Sequence, residues 1–218
     1  MLETFKTISL GLWQQPLFLG AGLGLIHALD ADHLSTLSGL AISDRSVSAT
    51  GYAVRWACGH AATLGGIAFM VIGLRLWSAT VLSTYAEILV GILLILIGLR
   101  TLCLPPRYRQ AENYAVAYPH ARGAGLFMGA LHGGAGSAVI FALIPLAGYQ
   151  SGTQILLYLT SFSIGVTVGA LAFSATFEHL LSRSQSGMGK FGTVLPAAVG
   201  IFALVTGGLL LLGTTHAG

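Results

Sequence analysis

Four stretches of the chain contain no Asp, Glu, Lys or Arg: Thr7 to Leu29, Trp56 to Leu74, Gly123 to Phe177 and Phe191 to Gly218. An uncharged run of about 20 residues is the pattern of a helix that crosses a bilayer. The third stretch is 55 residues long, room for two such helices, and Pro145 with the polar run Gly148 to Gln154 supplies a turn between them. Ala79 to Leu99 adds a further span, interrupted only by Glu87 near its start. The pattern predicts an all-α integral membrane protein of about six transmembrane helices, over residues 10–40, 53–76, 82–104, 123–147, 151–177 and 191–213.

Composition agrees with lipid as the solvent. Hydrophobic residues make up 55% of the 218 positions and charged residues 8%, against roughly a quarter charged in a soluble domain. The first apolar region runs on into His27, Asp30, Asp32 and His33 without a small-residue cleavage site, so the N-terminus is expected to be retained. Cys58 and Cys103 stand at no disulfide or metal-finger spacing.

The net charge of +3 is unevenly distributed. With loops assigned alternately to the two sides, Lys6 and Arg75 fall on one. Arg45, Arg55, Arg100, Arg107, Arg109, Arg122, Arg183 and Lys190 fall on the other. The basic-rich side is expected to be cytoplasmic and both termini extracytoplasmic, in a bacterial-type inner membrane. The basic residues then report orientation, and no nucleic-acid partner is needed to explain them.

The chain also repeats itself. Gly24-Leu25-Ile26-His27 matches Gly129-Ala130-Leu131-His132 at an offset of 105, Cys58-Gly59 matches Ile164-Gly165 at 106, and Val90-Gly91-Ile92 with Gly98 matches Val199-Gly200-Ile201 with Gly207 at 109. Three helices per unit place the second unit in the membrane upside down, so two inverted three-helix repeats are expected, residues 1–104 and 123–218, joined by a cytoplasmic linker, 105–122. Gly20, Gly24, Gly91 and Gly98 are candidates for close helix contacts.

The chemistry concentrates in His27-Ala28-Leu29-Asp30-Ala31-Asp32-His33. Two of the seven acidic residues fall with two histidines in an otherwise apolar span that holds no Lys or Arg. Carboxylates persist in such a setting only beside a compensating cation, water or partner. Imidazole with carboxylate suits nickel, cobalt or zinc. On an unbroken helix His27, Asp30 and His33 share a face about 120° wide while Asp32 points away. Asp32 then either orients a histidine from outside the ligand set, or the helix breaks at Ala31 and regroups the residues.

This string, with Leu34 after it, resembles the H-A-x-D-A-D-H signature of the nickel/cobalt transporter family. Gly59-His60-Ala61-Ala62-Thr63 is similar to that family's glycine-histidine motif, and Leu131-His132-Gly133-Gly134-Ala135-Gly136-Ser137 resembles the short urease-accessory, UreH-like membrane branch of the superfamily. The resemblance implies permeation of nickel or cobalt as transported substrate. It implies functional roles for His27, Asp32 and His33, assisted by His60, and metalloenzyme-maturation proteins as partners. The chain departs from the eight-helix members in lacking a helix before the motif and in its shorter central loop. With Asp30 and the repeat-matched His132, the candidate metal set is His27, Asp30, Asp32, His33, His60 and His132, with no catalytic residue and no resident cofactor.

Other residues read as structural. Ser137, Ser161, Ser163 and Thr167 join helices, His120, His179 and His216 are solvated, Glu87 reaches water near an interface, and Arg55, Arg75 and Arg100 extend to the helix ends. A membrane metalloenzyme would carry H-E-x-x-H or a comparable pair with an adjacent base, which is missing here. A metal-relay subunit for metalloenzyme maturation, binding the ion without carrying it across, is the alternative to a transporter.

Overall fold

The computed structural model describes residues 15–43, 48–73, 79–103, 121–135, 142, 145–149, 151–185 and 191–216. Among them the chain is helical, with no strand. The elements whose bounds are described are α1 Pro16–His27, α2 Ala31–Ser43, α3 Ala49–Ala68, α4 Ala79–Cys103, α5 Ala121–Gly134, α6 Gly152–Gln185 and α7 Phe191–His216. A π-helical turn, Phe69–Gly73, extends α3, and a 3-10 turn, Pro145–Gly148, precedes α6. Ala49–Gly73, Ser83–Cys103, Gly152–Ser182 and Val194–Thr214 are long enough to cross a bilayer, with mean hydropathy between 1.4 and 2.3. The protein is a multi-pass α-helical membrane protein. The linker 105–122 lies almost wholly outside the described residues.

Two expected spans are not continuous helices. The first, 10–40, divides into α1 and α2. Pro16 opens α1, where its missing N–H costs nothing. The helix closes at His27, after which Leu29 N–H donates to the Ile26 carbonyl and Asp30 N–H to the His27 carbonyl. Asp30 then stands at the N-cap position of α2, its carbonyl accepting from Leu34 N–H at 3.0 Å. Asp favours this position, and Asp32 in the first turn complements the positive end of the new helix. The acidic residues therefore encode the break. In the other expected span, 123–147, α5 ends at Gly134 with a bend at Ala135, residues 136–141 and 143–144 lie outside the described residues, and Ala142 is helical. Consecutive Gly133 and Gly134 are poor helix formers, and Ala135 N–H donates back to the His132 carbonyl.

The helices pack as three intimate pairs, α1 with α6, α3 with α5, and α4 with α7. Glycine permits each approach. A Cβ at Gly24 would collide with the Phe162 carbonyl, and one at Gly129 with the Trp56 carbonyl. Gly165 abuts the Ala21 carbonyl as Gly59 abuts that of Leu126, while Gly98 faces the Gly200 carbonyl and Gly207 that of Gly91. The expected close contacts at Gly20, Gly24, Gly91 and Gly98 are all present. Gly133 brings α5 against the His60 carbonyl. Lipid supplies no hydrophobic drive between helices, so dispersion at these glycine steps holds the pairs together.

Gly129→Ala sets a methyl group against a backbone carbonyl that cannot rotate away. It is expected to destabilise the protein by about 1–3 kcal/mol or more, read as a lowered unfolding temperature in detergent. Gly208→Ala meets open space and should leave that temperature unchanged or raise it slightly, since Ala is the better helix former. Equal effects of the two would contradict the packing.

Candidate metal centre

The break between α1 and α2 places His27 at the C-terminus of one helix and His33 in the first turn of the next, facing His60 on α3 and His132 on α5. All four imidazoles are buried, at 0–1% exposure. His27 Nδ1 donates to Asp30 Oδ2 at 2.9 Å, His33 Nδ1 to the His27 carbonyl at 2.9 Å, and His132 Nδ1 to the Met128 carbonyl at 2.7 Å. Each of these rings has its proton fixed on Nδ1, which leaves the Nε2 lone pair turned the other way. Histidines that hold metals are oriented in this manner, by an acceptor on the far nitrogen.

The Nε2 atoms of His27 and His60 lie 3.3 Å apart. With the His60 proton on Nε2 the pair is a hydrogen bond in which His60 donates. With the proton on Nδ1, two lone pairs face each other at the separation of neighbouring ligands on a tetrahedral ion, about 3.3 Å for bonds of about 2.0–2.1 Å. One ligand atom from each of His27, His33 and His60 falls within 4.8 Å of the others. His33 Nε2 and His60 Nδ1 are buried without a hydrogen-bond partner among the described residues. A buried polar atom without a partner is costly unless a ligand completes it.

Asp32 Oδ2 lies 3.9 Å from His33 Nε2 and 4.0 Å from His132 Nε2, and Thr36 Oγ1 donates to His132 Nε2 at 3.1 Å. Asp32 does not point away from the other candidate residues as it would on an unbroken helix. The break at residues 28–30 turns it inward. The structure thus brings together all six expected residues, His27, Asp30, Asp32, His33, His60 and His132.

No family model matches the chain. The "Urease accessory protein UreH" of Bacillus sp. (strain TB-90) is 28% identical over 171 residues, covering 72% of this chain and 74% of that protein. The chain is similar to UreH. The similarity bears out the UreH-like resemblance read from the motifs, and the relative is by its name an accessory protein. No solved structure matches.

Several further residues of this structure escaped the sequence reading. Trp56 is fully buried, with its indole 4.8 Å from the His33 ring, 5.1 Å from His60 and 5.7 Å from His132. Phe162 stacks on His27 at 5.5 Å. The two aromatics stand 106 positions apart, the offset that relates Gly59 to Gly165, and that spacing could have found the pair. Thr36, one helical turn beyond Asp32, was legible only once α2 was known to start afresh at Ala31. Glu178 reaches from α6 to the start of α3, where its carboxylate accepts from Thr50 N–H and Oγ1.

The residues read as structural stay apart from the cluster. Cys58 is exposed, as is His179. Ser161 donates to the Pro16 carbonyl and so joins α6 to α1, and Thr167 donates to the Ser163 carbonyl within α6. His120 and Ser137, and the side chain of His216, lie outside the described residues. A groove of about 690 Å³ between α3 and α6 has no ionisable residue in its lining.

Proposed function

We propose that this membrane protein takes a divalent transition-metal ion, nickel or cobalt, at the His27, Asp30, Asp32, His33, His60 and His132 cluster and passes it across the membrane. The observation that carries the reading is the set of buried imidazoles whose Nδ1 protons are committed to acceptors, so that Nε2 lone pairs gather at a broken helix. Discontinuous helices at mid-membrane are where secondary transporters hold their ions, because a helix C-terminus and free carbonyls favour a cation there. Imidazole with carboxylate favours nickel, cobalt or zinc over magnesium or calcium, and the family resemblance selects the first two. The chain acts on this reading as a carrier rather than an enzyme.

The inverted-repeat organisation, 1–104 and 123–218 about the 105–122 linker, belongs to the same proposal. Its support is that Gly24, Gly59, Gly91 and Gly98 have counterparts in Gly129, Gly165, Gly200 and Gly207 at offsets of 105, 106 or 109, so that the α1–α6 contact recurs as the α5–α3 contact and α4 and α7 face each other. His132 is then the counterpart of His27. The excess of basic residues on one side supports an inner-membrane location with both termini outside. A periplasm-active reporter fused at Gly218 is expected to be active and one inserted near Glu112 silent. The opposite pattern would invert the topology.

Radiolabelled nickel and cobalt flux into proteoliposomes containing only this chain tests the function. Metal-dependent flux is expected. Stoichiometric binding with no flux in either orientation would favour the second reading, a metal-relay subunit that serves metalloenzyme maturation. That reading draws on the "urease accessory" name of the relative.

A further inference from the structure

The ligand atoms of the cluster fall into two overlapping sets. His27, His33 and His60 close to within 4.8 Å of one another, as do Asp30, Asp32 and His33, and His33 is the residue the two sets share. Asp30 is engaged by His27 at 2.9 Å, so the oxygen that the second set offers most freely is Asp32 Oδ2. It stands 3.9 Å from His33 Nε2 and 4.0 Å from His132 Nε2. His33 sits between the two groups, its ring centroid 4.5 Å from His27, 5.6 Å from His60 and 5.3 Å from His132. Its Nε2 is buried and has no hydrogen-bond partner among the described residues, while its Nδ1 is tied to the His27 carbonyl.

The two sets differ in charge. The first offers three imidazoles, and the second brings carboxylate charge to the ion, with the imidazole of His132 standing beside it at 4.0 Å from Asp32 Oδ2. A permeation path needs binding strong enough to desolvate the ion and weak enough to release it, and neighbouring stations meet both needs because the ion is never bare between them.

We propose that the cation crosses the cluster by hand-off between two stations, His27/His33/His60 and Asp32/His33/His132, with His33 coordinating in both. Thr36, whose hydroxyl holds His132 Nε2 at 3.1 Å, positions the second station and yields that lone pair when the ion arrives. The inference rests on the transport reading above and specifies how the ion moves through that site.

Cobalt(II) is a suitable probe, because its electronic absorption reports the ligand set and its flux can be followed in the same preparation. In purified His132→Gln the first station is intact, so cobalt should stay bound there, with the imidazole ligands of His27, His33 and His60 in its spectrum, while flux falls about tenfold or more. Thr36→Val should show the same division more mildly. His60→Ala should keep bound cobalt through the second station with a changed spectrum and fewer imidazole ligands by X-ray absorption. His33→Ala should lose both stations and bind no cobalt. Affinity that falls in step with flux in His132→Gln and Thr36→Val would overturn the hand-off in favour of a single shell, and a wild-type spectrum in His33→Ala would overturn it by removing His33 from the ligands. Absence of cobalt binding by the wild type would defeat the transport reading itself. Wild-type flux with single-shell behaviour would defeat the hand-off alone.

Discussion

Replacing His60 by alanine is expected to reduce nickel and cobalt flux in proteoliposomes to the background of empty vesicles, while His179→Ala leaves it at the wild-type level. His60 Nε2 lies 3.3 Å from His27 Nε2, and no anchoring acceptor for its Nδ1 is found among the described residues. Its removal therefore deletes one metal-facing nitrogen and disturbs little else. His27→Ala should abolish flux as well, but by two routes, because it also removes the 2.9 Å contact that Asp30 makes with the His27 ring. His60→Ala is thus the cleaner probe. His179 is exposed near the end of α6, away from the cluster. The elution profile and unfolding temperature of His60→Ala and His179→Ala should match the wild type. Undiminished flux in a folded His60→Ala protein would remove α3 from the site, and equal loss in His179→Ala would show that the assay reads general damage.

The residues of the candidate site were legible in the sequence, and their arrangement was legible only in part. Carboxylates and histidines in an uncharged span are conspicuous, because hydrocarbon tolerates them so poorly. The repeat added His132, and the composition around His60 marked a place where helices approach. The uncertain point was Asp32, since hydropathy does not resolve a break of a few residues inside an apolar run. The cue was the acidic pair itself, as Asp at a capping position is a helix-start signal. In an apolar span the same residues also signal ligation, so the two cues overlap at Asp30 and Asp32. Trp56 and Phe162 were missed for a different reason. Aromatic residues are common in apolar helices, so the 106-residue spacing that relates these two was the one cue in the sequence, and the juxtaposition of α1, α3, α5 and α6 then makes them walls of the cluster. The four long spans followed from length and hydropathy. The helix end at Gly134 did not, because Gly133 and Gly134 also read as a close-packing surface, and Gly133 does pack against the His60 carbonyl.

Asp30 separates the electrostatic from the orienting contribution of the break. Its Oδ2 accepts the His27 Nδ1 proton at 2.9 Å, which fixes the tautomer that turns Nε2 toward His60. It also carries negative charge at the C-terminal end of α1, where the helix dipole already favours a cation. Asp30→Ala removes the acceptor and the charge together. His27 is then free to place its proton on Nε2, and nickel affinity is expected to fall about 10- to 100-fold, the usual consequence of losing the group that orients a metal-bound histidine. Asp30→Asn keeps a carbonyl acceptor for Nδ1 without the charge, so its loss should be smaller, and it should retain the wild-type cobalt spectrum. Isothermal titration of both variants, with the spectrum recorded at saturation, distinguishes the two roles. A larger loss in Asp30→Asn than in Asp30→Ala would mean that the Asn amide donates to His27 and inverts its tautomer. Unchanged affinity in both would mean that Asp30 serves only to start α2, and that His27 owes its orientation to the stacked ring of Phe162 instead.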